Sequence, residues 1–210
     1  MTTMDHEATG PGLEGLAAPR PEPARDGAPP DQGALARILE LATTVPDHGG
    51  LRPWRFAVVS GAGLDRLGDA LVEGLHRMRG NDLPEAMVAK MRGKAFAAPC
   101  KVVVIASPHP ESNVPVWEQV SSASCTGYAL VLAATTLGLG AVWKSAAVLD
   151  TEPLRALFSL ADHERLMGWI NLGTPAEPGR KRSAPERPDL SQLVTVIDDG
   201  EHPFGSAPAR

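Results

Sequence analysis

The feature that most limits what this chain can fold into is a long run, from Gln119 to Trp143, without a single Asp, Glu, Lys or Arg. Its length approaches that of a membrane-spanning helix. The run is nevertheless rich in Ser, Thr and Gly, and neither an aromatic belt nor a cluster of Lys and Arg flanks it. We therefore predict a helix, from about residue 117 to residue 137, that is buried on all sides in the centre of a large core or of a dimer.

The length and composition of the chain favour a globular protein with a core of Ala, Leu and Val. Its 210 residues are 43% hydrophobic and 4% aromatic, which is enough to bury a sizeable core. The formal net charge is −5 and the basic residues are scattered, which argues against a nucleic-acid partner. No basic start followed by an apolar run opens the sequence, so we expect no secretory signal and a cytoplasmic protein.

The cysteine pattern points to neither disulfides nor a metal site. Cys100 and Cys125 are far apart in the sequence, without a CxxC pair or the His spacing of a zinc site. We expect both to be reduced thiols in the core, and we expect no bound metal.

Hydrophobic periodicity predicts an α/β organisation in one domain over residues 31–198. Residues 1–30 are rich in Pro, Gly and Ala and are predicted to form an extended or mobile arm, and residues 199–210 form a tail. Helices are predicted after Asp31, Pro84 and Thr151, and over the periodic leucines from Leu64 to Met78. The predicted strands cover residues 55–60, 101–107, 140–145, a run that starts at 165, and 192–198.

The loop over residues 44–56 contains a histidine beside two glycines. His48 precedes Gly49 and Gly50, which allow the backbone to turn tightly and to approach a ligand closely. An isolated loop histidine is more often a simple surface residue, so His48 alone is a weak functional signal.

That functional signal is strengthened by three residues that follow the two glycines. Arg52, Trp54 and Arg55 place two guanidinium groups and an indole on the same connection, a combination that suits an anionic, aromatic ligand. The alternative is that Trp54 simply packs in the core.

A second glycine-rich segment, LGLGAVWKS at 137–145, follows the uncharged helix. It does not match the GxGxxG dinucleotide motif, and it lies after a helix instead of between a strand and a helix. Gly138 or Gly140 is expected to end the helix, before a short strand that carries Trp143, Lys144 and Ser145. We find no recognisable Ser-His-Asp order, HExxH motif or phosphate loop, so the familiar hydrolases are not indicated.

Three sequence blocks together resemble the nitroreductase family, in particular its small single-domain NAD(P)H nitroreductases. They are VPDHGGLRPWRFAVV, VPVWEQVSSASCTGYALVLAATTLGLGAVWKS and RLMGWINLGTP, and the resemblance covers about residues 31–198. It implies an α+β fold with a central, mostly antiparallel sheet flanked by helices. It also implies an intertwined homodimer that exchanges terminal segments and binds FMN at the subunit interface, with the uncharged helix in the dimer core.

The resemblance also implies cofactor-binding residues. His48 matches the histidine of the family's APDH loop beside the flavin, and Thr44 stands where close relatives have an arginine. Trp143, Lys144 and Ser145 match a segment that lies along the isoalloxazine ring, where backbone N–H groups would serve flavin N5 and O4 and a cation would favour the reduced ring. The stretch at 136–141 resembles the piece assigned to the nicotinamide donor.

The N-terminal arm departs from the family pattern. Relatives begin with a helix that ends in RRSxxR, whose arginines bind the FMN phosphate. The matching stretch here is APRPEPAR, so that only Arg20, or Arg25 after a shift of one residue, can take this role. The basic residues Arg180, Lys181 and Arg182 are the other candidates.

Two functions follow from these observations. One is an FMN-dependent oxidoreductase that transfers hydride from NAD(P)H through flavin N5 to a small electron-poor acceptor, in which the cofactor carries the chemistry and no catalytic side chain is assigned. The alternative is a non-redox binding or tailoring protein of the same fold that has weakened or lost FMN binding. The altered N-terminal arm is the reason for keeping the alternative.

Overall fold

The fold is built around one antiparallel sheet. The computed structural model describes Leu16, residues 20–176 and residues 188–197. Within these residues the sheet has four strands in the order β1-β2-β4-β3. The strands are β1 (Trp54–Ser60), β2 (Cys100–Ala106), β3 (Gly140–Lys144) and β4 (Arg165–Gly173). Every neighbouring pair is antiparallel, which confirms the expected α+β fold.

Five α-helices are described, and each overlaps a predicted one. They are α1 (Gln32–Ala42), α2 (Gly63–Arg79), α3 (Glu85–Gly93), α4 (Val116–Thr136) and α5 (Glu152–Leu157). Asp31 caps α1 as predicted, because its Oδ1 accepts the N–H of Ala34 at 2.8 Å. Among the described helices, none has the length and apolar character needed to cross a bilayer.

The sheet carries a core on each face. Val102 and Val104 of β2 pack on the α1 and α4 side, whereas Val103 and Ile105 pack on the α2 and α5 side. All seven residues of β2 are buried. This explains why β2 is an almost continuous run of β-branched residues, since a strand buried on both faces has no position for alternating polar residues.

Helix α4 is buried on one face only. Its inner face packs against β2, β3, β4 and α1 and includes Ala123, Leu130 and Ala134. The opposite face, here called the outer face of α4, is exposed in the chain and contains Trp117, Ser121, Cys125 and Tyr128. The prediction of burial on all sides is therefore wrong for the single chain.

The two cysteines differ accordingly. Both thiols are free, but only Cys100 is buried, whereas Cys125 lies exposed on the outer face of α4. Burial raises the pKa of the Cys100 thiol. The expectation that both would be core thiols is wrong for Cys125, because the uncharged sequence of α4 gives no signal as to which side faces the core.

The described part of the N-terminal arm, residues 20–30, is held against the sheet. The carbonyl of Pro21 accepts the N–H of Ala141 at 2.9 Å, and the N–H of Ala24 donates to the carbonyl of Thr174 at 2.8 Å. Pro23 is buried and forms a β-bridge with Pro175. The arm thus covers the outer edge of β3, which would otherwise leave unpaired backbone groups.

The prediction of a strand at 192–198 is wrong for its described residues. Leu190–Gln192 form a 3-10 turn, and residues 193–197 have no regular structure. Ile197 is 98% exposed and Leu193 is 67% exposed. A strand needs a neighbour to bond its backbone, and no described strand of this chain pairs with the segment.

An ion pair with a buried carboxylate ties β1 to the turn before β4. The Arg55 guanidinium donates two hydrogen bonds of 2.7 Å to the Glu164 carboxylate, and Arg55 also donates to the carbonyls of Phe158 and Ser159. The N–H of Ala161 donates to the same carboxylate at 3.0 Å. These partners, Arg55 foremost, lower the pKa of Glu164 to about 2. The Arg55 guanidinium is thus engaged within the chain, away from His48.

The low pKa of Glu164 predicts a specific loss of stability in acid. An unpaired glutamate has a pKa near 4.5, so the ionised side chain stabilises the fold fully above that pH and loses its contribution as the pH falls towards 2. We expect the free energy of unfolding to fall by up to about 3 kcal/mol over that range. Urea unfolding at several pH values measures this free energy. In Glu164→Gln, the part of the decrease that comes from protonation of Glu164 should be missing. An equal pH dependence in both proteins would contradict this assignment.

The contact between α4 and β3 leaves no room for a side chain at Gly127. A Cβ there would lie 2.6 Å from the ring of Trp143, and this ring is fixed because its Nε1 donates to the carbonyl of Met167 at 3.0 Å. We expect Gly127→Ala to cost about 1–3 kcal/mol in urea unfolding. The control is Gly93→Ala at the end of α3, where a Cβ meets nothing within 4 Å and stability should be unchanged or slightly higher. Equal stability of the two variants would contradict the packing argument.

Candidate functional site

The loop that contains His48 has a defined shape. Asp47 holds it, since its carboxylate accepts the N–H groups of Leu51 at 3.2 Å and of Arg52 at 2.7 Å. His48 begins a short 3-10 turn in which Gly49 has a φ of 77°, a conformation that strongly favours glycine. The predicted tight turn is thus present, and it presents the imidazole at the surface.

His48 is paired with the first turn of α4. Its Nδ1 lies 2.9 Å from Oε2 of Glu118, and its side chain is 69% exposed. Beside the pair is a small, mostly apolar cavity of about 200 Å³. The cavity is lined by Pro46, Asp47, His48, Val114, Trp117, Glu118, Gln119, Ser121 and Ser122. We call these residues the histidine half of the site.

Arg20 and Lys144 lie elsewhere, close to the middle of α4 and to β3. The Arg20 guanidinium donates to the hydroxyl of Tyr128 at 3.2 Å and lies 5.4 Å from the centre of that ring. The guanidinium also donates to the carbonyl of Leu16 at 3.0 Å, whereas its Nε is buried and has no hydrogen-bond partner among the described residues. Lys144 lies 3.4 Å from a carboxylate oxygen of Glu22, in the same arm as Arg20. Arg20 and Lys144, with Trp143 and Ser145, form what we call the arginine half.

Strand β3 supplies the backbone of the arginine half. Backbone groups of alternating residues in a strand point to opposite edges, so the N–H of Trp143 lies on the same outer edge as that of Ala141. Ala141 is bonded there to Pro21, but no hydrogen bond outside the sheet is described for the N–H of Trp143. The Trp143 indole itself packs on Gly127 and is structural. Ser145 follows at the exposed end, where its carbonyl accepts a bond from Lys94 at 3.3 Å.

The two halves are separated along α4. Glu118 and Tyr128 mark them, and ten residues of helix correspond to about 15 Å. Within one chain, therefore, the described residues do not bring His48 together with Arg20 or Lys144.

Other predicted residues take no part in either half. Thr44 is exposed, and its hydroxyl is bonded to the carbonyl of Leu41 at 2.8 Å at the end of α1. Trp54 is 9% exposed and packs in the core, as the alternative interpretation held. Arg25 is exposed and contributes no described hydrogen bond to the arginine half. Arg180, Lys181 and Arg182 lie outside the described residues.

Sequence reasoning missed Glu118 and Tyr128. Glu118 is the last charged residue before the uncharged run, at the third position of α4, where the helix dipole favours an acid. Its position was therefore a usable signal. Tyr128 gave none, because a single tyrosine in an apolar helix is compatible with either face.

Another cavity lies outside both halves. It has about 610 Å³ and is lined by Leu149, Asp150, Arg155, Asp162, Glu164, Arg165 and Leu166. Its lining contains both acids and bases, and Arg155 already bonds the carbonyls of Glu164 and Ala161. We therefore take the two halves, and not this cavity, as the candidate site.

Comparison with known proteins gives a consistent result. The Nitroreductase family matches residues 26–174. The Escherichia coli K12 protein named "Putative NAD(P)H nitroreductase YdjA" is 33% identical over 141 residues, which are 67% of this chain and 75% of that protein. A Haemophilus influenzae protein of the same description is 33% identical over 153 residues, 72% of this chain and 82% of that protein.

Solved structures agree on the fold. A nitroreductase-like family protein from Bacillus cereus superposes with a TM-score of 0.67 at 20% identity, covering 87% of this chain and 93% of that one. NfnB from Sphigopyxis sp. strain HMH, described as an FMN and NADPH-dependent nitroreductase, also has a TM-score of 0.67, at 19% identity, with 88% and 98% covered. The family match spans well over half of the chain, and the antiparallel sheet is the fold that these structures share. The chain therefore belongs to the nitroreductase family.

Proposed function

We propose that this protein is an FMN-dependent oxidoreductase that uses NAD(P)H to reduce a small electron-poor acceptor. Family membership supports an oxidoreductase, and the names of the relatives and of NfnB refer to NAD(P)H, NADPH and FMN. Bound FMN would supply the hydride chemistry at its N5 atom. The protein would then need to bind, orient and shield the flavin, which agrees with the absence of a recognisable catalytic triad in the sequence.

The observation that carries the proposal is the buried Nε of Arg20, which has no hydrogen-bond partner in the part of the chain that the structure describes. A buried N–H group without an acceptor is costly, and a phosphate oxygen is a strong acceptor for a guanidinium. Lys144 adds a second cation close to the same arm. The residues of the arginine half therefore fit an anionic group such as the FMN phosphate and the polar edge of its ring.

Backbone geometry supports the same placement. The N–H of Trp143 on the outer edge of β3 is a donor of the kind that the N5 and O4 edge of a flavin accepts. Because the donor belongs to a strand within a sheet, its position does not depend on a flexible side chain. Lys144, the next residue, would stabilise negative charge on the reduced ring.

A homodimer would unite the two halves. The outer face of α4 exposes Trp117 by 69% and Tyr128 by 49%, which is unusual for large aromatic residues of an isolated soluble chain. If two copies pair in opposite directions across this face, the histidine half of one copy approaches the arginine half of the other. The segment at 190–197 exposes Leu193 and Ile197. In the exchange of terminal segments that the family resemblance implies, this segment would pack on the partner subunit.

The alternative, a non-redox protein with weak or lost FMN binding, has one observation in its favour. Glu22 lies near Lys144 and places a negative charge where the phosphate would bind. In that case the Glu22 carboxylate would neutralise the positive charge of Lys144 in the arginine half. The colour of the purified protein, and bleaching of that colour by NADH or NADPH, distinguish the two functions.

Removing the cations of the arginine half should weaken FMN binding. We expect Arg20→Met and Lys144→Met each to raise the FMN dissociation constant by about 10- to 100-fold, because each removes a charge-assisted contact. Fluorescence quenching of FMN during titration measures this. Lys90→Met, on the exposed side of α3, is the control. If neither variant of the arginine half differs from the control, the phosphate does not bind there.

A charge placed on the outer face of α4 should separate the subunits and, in the same variant, abolish FMN binding. Cys125→Glu changes an exposed residue on the outer face of α4, between Ser121 and Tyr128, so the monomer should still fold. We expect sedimentation equilibrium to show a monomer and FMN titration to show no saturation. Ala89→Glu on the exposed side of α3 is the control and should stay dimeric. A monomeric wild-type protein that binds FMN would contradict the shared site.

A further inference from the structure

We infer that Glu118 is a positioning residue for His48, which fixes the imidazole so that its Nε2 is the atom available to a ligand. This inference rests on the proposed function, because the ligand considered is FMN. It adds to the site a residue that the sequence analysis did not select.

The contact joins one ring nitrogen to one carboxylate oxygen. Nδ1 of His48 lies 2.9 Å from Oε2 of Glu118, a normal hydrogen-bond distance. An ionised carboxylate can only accept, so the proton of this bond is carried by Nδ1. The neutral ring is then the Nδ1–H tautomer, and Nε2 is left with its lone pair. No described residue makes a hydrogen bond to Nε2.

The backbone is held by hydrogen bonds at both His48 and Glu118. His48 is in the turn that Asp47 holds through two backbone N–H groups. Glu118 is in the first turn of α4, where its own N–H bonds to the carbonyl of Pro115 at 3.0 Å. The neighbouring Gln119 is buried and bonds the backbone of His109 twice, at 2.7 and 3.2 Å. The ring is thus held between two elements that cannot easily move apart.

The surrounding charges do not offer His48 another partner. Asp47, which precedes it, uses both carboxylate oxygens on backbone N–H groups. Arg52 is exposed, and its described hydrogen bonds are all made by its backbone. Glu118 is therefore the group that decides which nitrogen of His48 carries the proton. Without it, both tautomers and other ring orientations become accessible at a side chain that is 69% exposed.

The consequence for FMN is a pre-organised contact. A ring held in one orientation presents Nε2 at one place, where it accepts a hydrogen bond when neutral and donates one when protonated. The entropy cost of ordering the imidazole ring then arises during folding and does not weaken FMN binding. Loss of Glu118 should accordingly weaken FMN binding through His48 and by no other route.

Nuclear magnetic resonance of the imidazole nitrogens tests the first part without FMN. At a pH where the ring is neutral, long-range proton–nitrogen spectra of the full chain should show His48 as the Nδ1–H tautomer. Glu118→Gln should keep this tautomer, because its amide oxygen also accepts, whereas Glu118→Ala should lose it. Glu111→Ala, an exposed acid in the loop before α4, is the control and should leave His48 unchanged. Finding Nε2–H in the wild type, or no change in Glu118→Ala, overturns the inference.

A double-mutant cycle on FMN affinity tests the second part. We expect Glu118→Ala to raise the dissociation constant about tenfold, Glu118→Gln to raise it less than about threefold, and Glu118→Ala to add nothing when His48→Ala is already present. Equal effects of Glu118→Ala in both backgrounds would show a role independent of His48 and would overturn the inference. If the wild type binds no FMN, the proposed function fails, and the tautomer spectra alone decide whether Glu118 controls His48.

Discussion

The uncharged helix α4 is the constraint on which the rest of the structure depends. Its inner face has small residues, among them Ala123 and Gly127, which let the helix lie close to the sheet. A Cβ at Gly127 would collide with the Trp143 ring, so helix and strand β3 are positioned by direct contact. An acid or base on the inner face of α4 would be buried against the sheet without a partner. This explains the absence of charge on that face of the helix after Glu118.

The same helix decides where functional groups can be placed. Its first turn holds the histidine half through Glu118, and its middle holds the arginine half through Tyr128. A rigid helix of this length cannot bring its two ends together, so the division of the candidate residues into two halves is a direct consequence of their attachment to one helix. In the proposed homodimer, the two halves would be joined across the outer face of α4. That pairing would also cover the exposed aromatic side chains of this face.

Much of the fold could be predicted from local patterns, and the errors have clear physical causes. Strand β2 was evident because burial on both faces demands β-branched residues, and α1 was evident from its Asp31 cap. The segment at 192–198 alternates like a strand, but none of the described strands lies beside residues 192–197, and alternation alone does not show whether a strand has a pairing partner. Arg55 was assigned towards a ligand because its acid, Glu164, is far away in the sequence. His48 could be selected from its loop, whereas Glu118 depended on a contact across 70 residues.

The proline-rich arm supports Arg20, the residue that we propose for the FMN phosphate, through contacts with β3. Pro21 and Pro23, which follow Arg20, have no backbone N–H to donate within a helix. The carbonyl of Pro21 accepts the N–H of Ala141, and the carbonyl of Glu22 accepts the N–H of Ala176. Pro23 packs so closely on Gly140 that a Cβ on Gly140 would lie 2.6 Å from the Pro23 backbone. These contacts hold the segment that follows Arg20 next to β3. The Glu22 and Lys144 pair is exposed and 3.4 Å apart, so it contributes little, and a doubly charged phosphate held by a guanidinium would compete with it effectively. The altered arm is for this reason compatible with FMN binding and does not by itself favour its loss.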